Sequence, residues 1–163
     1  MIYGTVTLTA EQTMCAVTVA ALQLMRKVYS GRGDGYGDPD RSMGKLWSDK
    51  IQGMFAEVAC CDILGQPWTP GGRRVSTGEV ARKFEVRGTE HQHGHLLIYP
   101  EDVDESWFFL VVGEYPTFSL AGCKRAADCK RPELWRENSN PPAWWVPQAD
   151  LLEPSAAGCE VAP

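Results

Sequence analysis

The segment Glu79-Val-Ala-Arg-Lys-Phe-Glu-Val-Arg-Gly-Thr89 organises the rest of the chain. Charged and apolar side chains alternate in its second half, which predicts a β-strand from Lys83 to Gly88. Glu85 and Arg87 then share one face of the strand, while the apolar side chains between them turn towards a core. A carboxylate upstream (Glu79), a second one on a strand and a cation two positions later form a pattern that metal-dependent phosphodiester chemistry uses.

Length and composition predict one globular domain. The chain has 163 residues, of which 44% are hydrophobic and 23% charged. We expect the domain to cover residues 1–154 and residues 155–163 to form a flexible tail. The net charge of -5 argues against a protein that binds nucleic acid through a generally basic surface. It allows an enzyme that supplies positive charge locally or through bound metal ions.

No charged leader precedes an apolar run, and no apolar stretch approaches 18 residues. We therefore expect a cytoplasmic protein with no membrane partner. The six cysteines form no CxxC pair, which favours reduced and mostly buried thiols over a zinc site.

Two N-terminal helices are predicted. Thr9-Ala-Glu-Gln12 is a capping box, and apolar residues at helical spacing extend the first helix from Ala10 to Tyr29. A second helix runs from Lys45 to Leu64, and Gly65 ends it. Glu57 lies in its middle between small residues, so it either faces a neighbouring strand or ligand, or is an ordinary solvated glutamate.

Two segments between these elements are predicted as loops. Residues 30–42 contain several aspartates, but Pro39 and Lys45 stand where a calcium-binding EF-hand loop needs glycine and glutamate. The calcium interpretation therefore fails, and a solvated loop is expected. Residues 66–78 are rich in proline and glycine and are also predicted as a loop.

The C-terminal half reads as strands. The continuous apolar run Trp107–Val112 predicts a central strand buried on both faces, followed by a strand at Thr117–Ala121 in an antiparallel meander. Shorter strands are expected at Leu96–Tyr99 and Trp144–Gln148, and the acidic turn at 100–105 is expected to be solvated. Trp144 and Trp145 could stack on bases, but their size favours a place in the core. The order of elements gives an α+β fold.

The histidines of His91-Gln-His-Gly-His95 allow two interpretations. On a strand they would converge on one face and could hold a transition metal. Gly94 and the polar neighbours instead favour a hairpin turn into the next strand.

The chain carries, in order, Gln52-Gly-Met-Phe-Ala-Glu57, Gly78-Glu-Val, Phe84-Glu-Val-Arg87, Leu96-Leu-Ile-Tyr99 and the buried strand. This combination resembles the PD-(D/E)xK nuclease superfamily and, within that superfamily, small proteins of bacteriophages and prophages. The closing Val146-Pro-Gln148 resembles theirs too. The resemblance implies a restriction-endonuclease-like core in which two N-terminal helices pack on a central mixed or antiparallel sheet.

The resemblance also implies site residues. Glu57, Glu79 and Glu85 would bind Mg²⁺ or Mn²⁺ and be catalytic, together with Arg87 in the position of the usual lysine. Arginine stays protonated, so it would stabilise developing charge rather than accept a proton. Candidate nucleic-acid contacts are Arg73, Arg74, Arg82, Lys83, Lys124, Arg125, Lys130 and Arg131.

Three functional hypotheses follow. The first is a metal-dependent nuclease acting on DNA. The second is a nuclease-like scaffold that has lost catalysis and serves as a nucleic-acid- or protein-binding accessory module, motivated by Arg87 and the negative net charge. The third is an interaction protein that uses a sheet edge or its tryptophans.

Overall fold

The computed structural model describes residues 1–30, 42–69 and 84–162. The fold is α+β, as the sequence predicts, with the two long helices in the N-terminal half. The elements are β1 (Gly4–Thr7), α1 (Ala10–Tyr29), α2 (Met43–Ile63), β2 (Phe84–Thr89), β3 (Leu96–Ile98), β4 (Trp107–Glu114), β5 (Thr117–Arg125), α3 (Ala126–Cys129), β6 (Trp135–Arg136) and β7 (Ala143–Val146).

The strands form two sheets. A mixed sheet has the order β1-β5-β4-β2, in which β2 is parallel to β4 and the other neighbours are antiparallel. An antiparallel sheet has the order β3-β7-β6. Among the described strands, β2 lies at one edge of the mixed sheet. Of the predicted antiparallel meander, the pairing of β4 with β5 is confirmed, whereas the strand at Leu96–Ile98 belongs to the other sheet and pairs with β7.

The mixed sheet is the middle of three layers. On one face, Phe109 and Val111 of β4 pack in a cluster with residues of α1 and α2. On the other face, Phe108 and Leu110 pack with residues of β3 and β7. The run Phe108–Val112 is at most 1% exposed, so the prediction of a strand buried on both faces is confirmed.

The helices begin where their capping residues stand. Thr9 and Gln12 form the predicted capping box, and α1 has the predicted bounds. Ser42 caps α2, whose Lys45 N–H bonds the Ser42 hydroxyl. Helix α2 packs on the mixed sheet and α1 packs against α2. Over the described residues, no helix combines the length and apolarity needed to cross a membrane.

The segment predicted as a flexible tail is packed instead. A 3₁₀ turn forms at Pro154–Ala157, and both Ala157 and Cys159 are buried in the cluster beneath the helices. The Ala162 N–H also donates to the Ile63 carbonyl at 2.8 Å. The tail prediction was therefore wrong up to residue 162, because small apolar side chains there fill space beside α2.

The turn around the histidines is present, but it does not form a hairpin. The Gly94 N–H bonds the His91 carbonyl at 2.8 Å, which closes the turn. The strand that follows, β3, leaves the sheet of β2 and pairs with β7. All three histidines are exposed.

Candidate functional site

The candidate site lies where α2 passes over β2. Their close approach depends on Gly88, because a Cβ at this position would stand 2.7 Å from the Cβ of Ala56. The Gln52 side-chain amide also donates to the Glu90 carboxylate at 3.2 Å. These contacts fix the middle of α2 against the C-terminal half of β2.

A groove opens beside this contact. Its volume is about 780 Å³, within the range of ligand pockets. Polar and small side chains from α2 and the end of β2 contribute to its wall, among them Lys50, Gln52, Gly53, Glu57, Gly88 and Glu90. At Gly53 an added Cβ would meet nothing within 4 Å, so the helix surface is open there.

Glu57 is the predicted site residue that lines this groove. It is partly buried, and burial raises the pKa of its carboxyl above the ordinary 4.5. Lys50 and the indole of Trp68 oppose the rise in pKa, whereas the charge of Glu85 adds to it. Trp68 Nε1 is buried and has no hydrogen-bond partner among the described residues. Its N–H still lies close enough to Glu57 to favour the ionised carboxylate, which lowers the pKa. Glu57 is therefore not the ordinary solvated glutamate of the simpler interpretation.

Glu85 is exposed and lies on the opposite face of β2 from α2. Val86 packs in the cluster with the helices and Gly88 contacts α2, so these alternate residues mark the helix face. Glu85 and Arg87 point to the other face. The carboxylates of Glu57 and Glu85 thus influence each other electrostatically around an edge strand, but they approach it from different sides.

Arg87 has structural partners on that second face. Its Nη2 donates to both carboxylate oxygens of Asp102, at 2.9 and 3.0 Å. The guanidinium carbon lies 5.3 Å from the ring centroid of Tyr99 and 5.0 Å from that of Phe108. Asp102 in turn accepts the Tyr99 backbone N–H at 2.8 Å. The guanidinium is therefore held away from Glu57.

Sequence reasoning missed Asp102, because it assigned the acidic turn to solvent. The Asp102 side chain is only 12% exposed. Arg87 itself indicated that such a partner exists, because an arginine that is partly buried on a strand needs a nearby carboxylate. Which acidic residue would supply it could not be read from the spacing.

The described basic residues of the C-terminal segment are mostly engaged. Lys124 bonds the Asp150 carbonyl at 2.7 Å, and Arg131 pairs with the Asp150 carboxylate at 2.9 Å. Lys130 pairs with Asp104 at 2.6 Å and lies over the Trp144 ring. Arg125 is exposed. Lys124, Lys130 and Arg131, which were predicted to contact phosphates, therefore make contacts within the protein near α3.

The remaining predicted site residues lie outside the described residues. They are Glu79, Arg73, Arg74, Arg82 and Lys83.

The donor set suits a hard divalent cation in type but is small. Magnesium is commonly bound by one or two carboxylates and retains several waters, and Glu57 and Glu85 supply such oxygens. Within residues 1–30, 42–69 and 84–162, no three His, Cys, Asp or Glu side chains come together as a metal-binding group. A cation that used both carboxylates would have to bridge the edge of β2, because Glu57 and Glu85 lie on different sides of that strand.

Comparisons with protein-family models, with curated proteins and with solved structures found nothing that matches this chain.

Proposed function

We propose that this protein is a cytoplasmic, divalent-cation-dependent phosphodiesterase that acts on nucleic acid, with DNA as the first substrate to test. The observation that supports this best is Glu57: a partly buried carboxyl in an open groove, with a pKa raised by burial and by a second carboxylate. A cation placed near both carboxylates would relieve these two costs together.

In this proposal Glu57 and Glu85 bind Mg²⁺ or Mn²⁺, and Glu79 is a third ligand on the strength of the PD-(D/E)xK resemblance. The chemistry that such an ion would supply is polarisation of a phosphate and a lowered pKa of a nearby water. Lys50 lines the groove beside Glu57 and would contact the phosphate backbone of a bound strand.

Arg87 is a positioning residue in this scheme. Its two bonds to Asp102 and its packing on Tyr99 hold it in place, which fixes the strand that carries Glu85 two residues before it. Of the predicted nucleic-acid contacts, exposed Arg125 remains a candidate, as do Arg73, Arg74, Arg82 and Lys83, because the others bond within the fold.

Cation binding is the direct test. Isothermal titration with Mn²⁺ should give saturable binding to the wild type and at least tenfold weaker binding to Glu57→Gln and Glu85→Gln. Glu153→Gln, at an exposed position that does not line the groove, is the matched control and should bind like the wild type. Wild-type protein that takes up neither Mn²⁺ nor Mg²⁺ would contradict the proposal.

Catalysis is tested with the same variants. Wild type with Mn²⁺ or Mg²⁺ should cut plasmid or single-stranded DNA, and chelation or Glu57→Gln should abolish cleavage. Cleavage that persists in Glu85→Gln at the wild-type rate would remove Glu85 from the site.

A second candidate is an accessory module that binds nucleic acid without cutting it. The Arg87–Asp102 contact favours it, because it leaves the position of the usual catalytic lysine committed to structure. DNA binding that is independent of divalent cations, with no cleavage in any of them, would select this candidate over the first.

A further inference from the structure

The outward face of α1 is an unusual protein surface. Residues 12–25 of this helix contain no charged side chain. Ala16, Ala20 and Leu24, spaced four apart, are buried on the side that faces the rest of the fold. A helix with one buried face normally carries charged residues on the other.

The opposite face is apolar and open to solvent. Met14 and Leu22 are 68% and 54% exposed, and Cys15 and Thr18 are also exposed. Met14, Thr18 and Leu22 follow one another at four-residue spacing, so they form a stripe along the helix axis. The Thr18 hydroxyl bonds the Met14 carbonyl at 2.8 Å, so the stripe has one polar group fewer to offer to water. We call Met14, Cys15, Thr18 and Leu22 the α1 stripe.

Charges appear only beyond the two ends of the stripe, and they have opposite signs. Glu11 lies in the first turn of α1 and Arg26 lies in its last turn, and both are exposed. The two residues are equally far from the point between Thr18 and Val19. A two-fold axis through that point places the Glu11 of one copy opposite the Arg26 of the other, and does so twice.

We propose that the α1 stripe is a self-association surface, on which α1 of a second copy packs in antiparallel orientation. The stripe of each copy covers that of the other, Cys15 faces Leu22 across the axis, and the two Glu11–Arg26 pairs close the ends. Antiparallel packing also sets the helix dipoles head to tail. The α1 stripe contains no residue of the proposed cation site.

The size of the stripe predicts a weak dimer. A 20-residue helix is about 30 Å long, so a single helix pair buries less than the roughly 800 Å² per partner of a standard interface. Association should therefore depend on protein concentration in the micromolar range or above.

Sedimentation equilibrium of the full chain between about 2 and 200 µM tests this size argument. Wild type should shift from monomer towards dimer, and Leu22→Glu should raise the dimer Kd at least tenfold by placing two carboxylates inside the interface. Val103→Glu is the matched control: Val103 is 42% exposed and lies outside α1, so the variant should dimerise like the wild type. Wild type that stays monomeric throughout overturns the proposal, even if the stripe binds vesicles or other proteins.

A charge exchange tests the orientation. Glu11→Lys and Arg26→Glu should each weaken the dimer, because each brings like charges together twice. The double variant should regain most of the wild-type Kd, although both substitutions oppose the dipole of α1 and should lower its thermal stability further. A double variant that dimerises no better than the single ones overturns the antiparallel arrangement.

Cross-linking tests the register. Packed helix axes lie about 8–10 Å apart with Cα atoms about 2.3 Å from each axis, so facing Cα atoms come within disulfide range. Leu22→Cys should form a covalent dimer with the native Cys15 of the second copy on mild oxidation, and adding Cys15→Ser should prevent it. Equal cross-linking with and without Cys15 would overturn this register.

Discussion

Arg87 and Asp102 join the two sheets through a two-pronged contact. Nη2 of Arg87, on the edge strand β2, donates to both oxygens of Asp102, which follows β3 in the three-stranded sheet. The two side chains are 24% and 12% exposed. A charge pair so shielded from water is costly to break from one side, because the remaining charge stays shielded without a partner.

Removing one member of this pair should destabilise the protein more than removing a surface pair. Arg87→Ala should lower the free energy of unfolding by about 3 kcal/mol, because Asp102 is left shielded without its cation. Lys45→Ala is the control, since Lys45 pairs with Asp49 on the exposed surface of α2 and should cost only about 0.3–0.5 kcal/mol. Urea denaturation measures both. Equal losses of unfolding free energy in Arg87→Ala and Lys45→Ala would show that the Arg87–Asp102 pair contributes no more than a surface pair.

The carboxyl of Glu57 should make stability depend on pH. Because its pKa is raised in the folded state, its charge costs stability once the pH rises above the unfolded value near 4.5, and the cost is complete above the folded pKa. Glu57→Gln should therefore be more stable than wild type at pH 7 and similar to it at pH 4. Thermal melts across this range give the comparison. If Glu57→Gln is less stable than wild type at pH 7, the ionised Glu57 carboxylate does not destabilise the folded state.

A bound cation should reverse that cost. If Mn²⁺ binds at Glu57, a concentration of 100 Kd should stabilise the wild type by about 2.7 kcal/mol. For a protein of this length the increase in Tm is about 5–10 °C. Glu57→Gln should show no such shift. Calorimetric scans with Mn²⁺ and with a chelator check this, and an equal shift in both proteins would place the cation elsewhere.

Two glycines that border the groove should respond in opposite directions to alanine. Gly88→Ala drives a Cβ to within 2.7 Å of Ala56 and should cost about 1–3 kcal/mol. Gly53→Ala enters open space on α2 and should gain about 0.5–1 kcal/mol through helix propensity. Chemical denaturation of both variants decides this. A neutral Gly88→Ala would mean that α2 moves freely over β2.

The thiols should differ widely in reactivity. Burial raises the pKa of Cys61 to about 11 and those of Cys123 and Cys129 to about 12, so little thiolate forms at pH 8. Cys15 is exposed. Iodoacetamide should therefore modify one thiol rapidly in the native protein, and Cys15→Ser should remove that fast phase. Mass spectrometry of digests identifies the site; rapid labelling at Cys123 would contradict its burial.

Local features of the sequence were sufficient for much of the fold. The capping box at Thr9 fixed the start of α1, since capping depends on residues three apart. The unbroken apolar run in β4 indicated burial on both faces, because a strand exposed on one side needs polar residues at alternate positions. The alternation before Gly88 located β2 to within one residue.

The site depended on contacts between distant segments, which spacing could not supply. The sequence predicts Glu57 and Glu85 as site residues, but it could not say that they approach β2 from opposite sides. That outcome follows from the close contact of Gly88 with Ala56, which turns one set of alternate residues towards α2.

The amino-acid sequence by itself determined the helices, the buried strand and the inventory of carboxylates, because these follow from capping, periodicity and composition. Only the tertiary structure decided that Asp102 is the partner of Arg87 and that the C-terminal residues pack beside α2. The physical reason is that a charged or apolar side chain specifies what kind of neighbour it needs, whereas the packing of whole layers selects which neighbour it has.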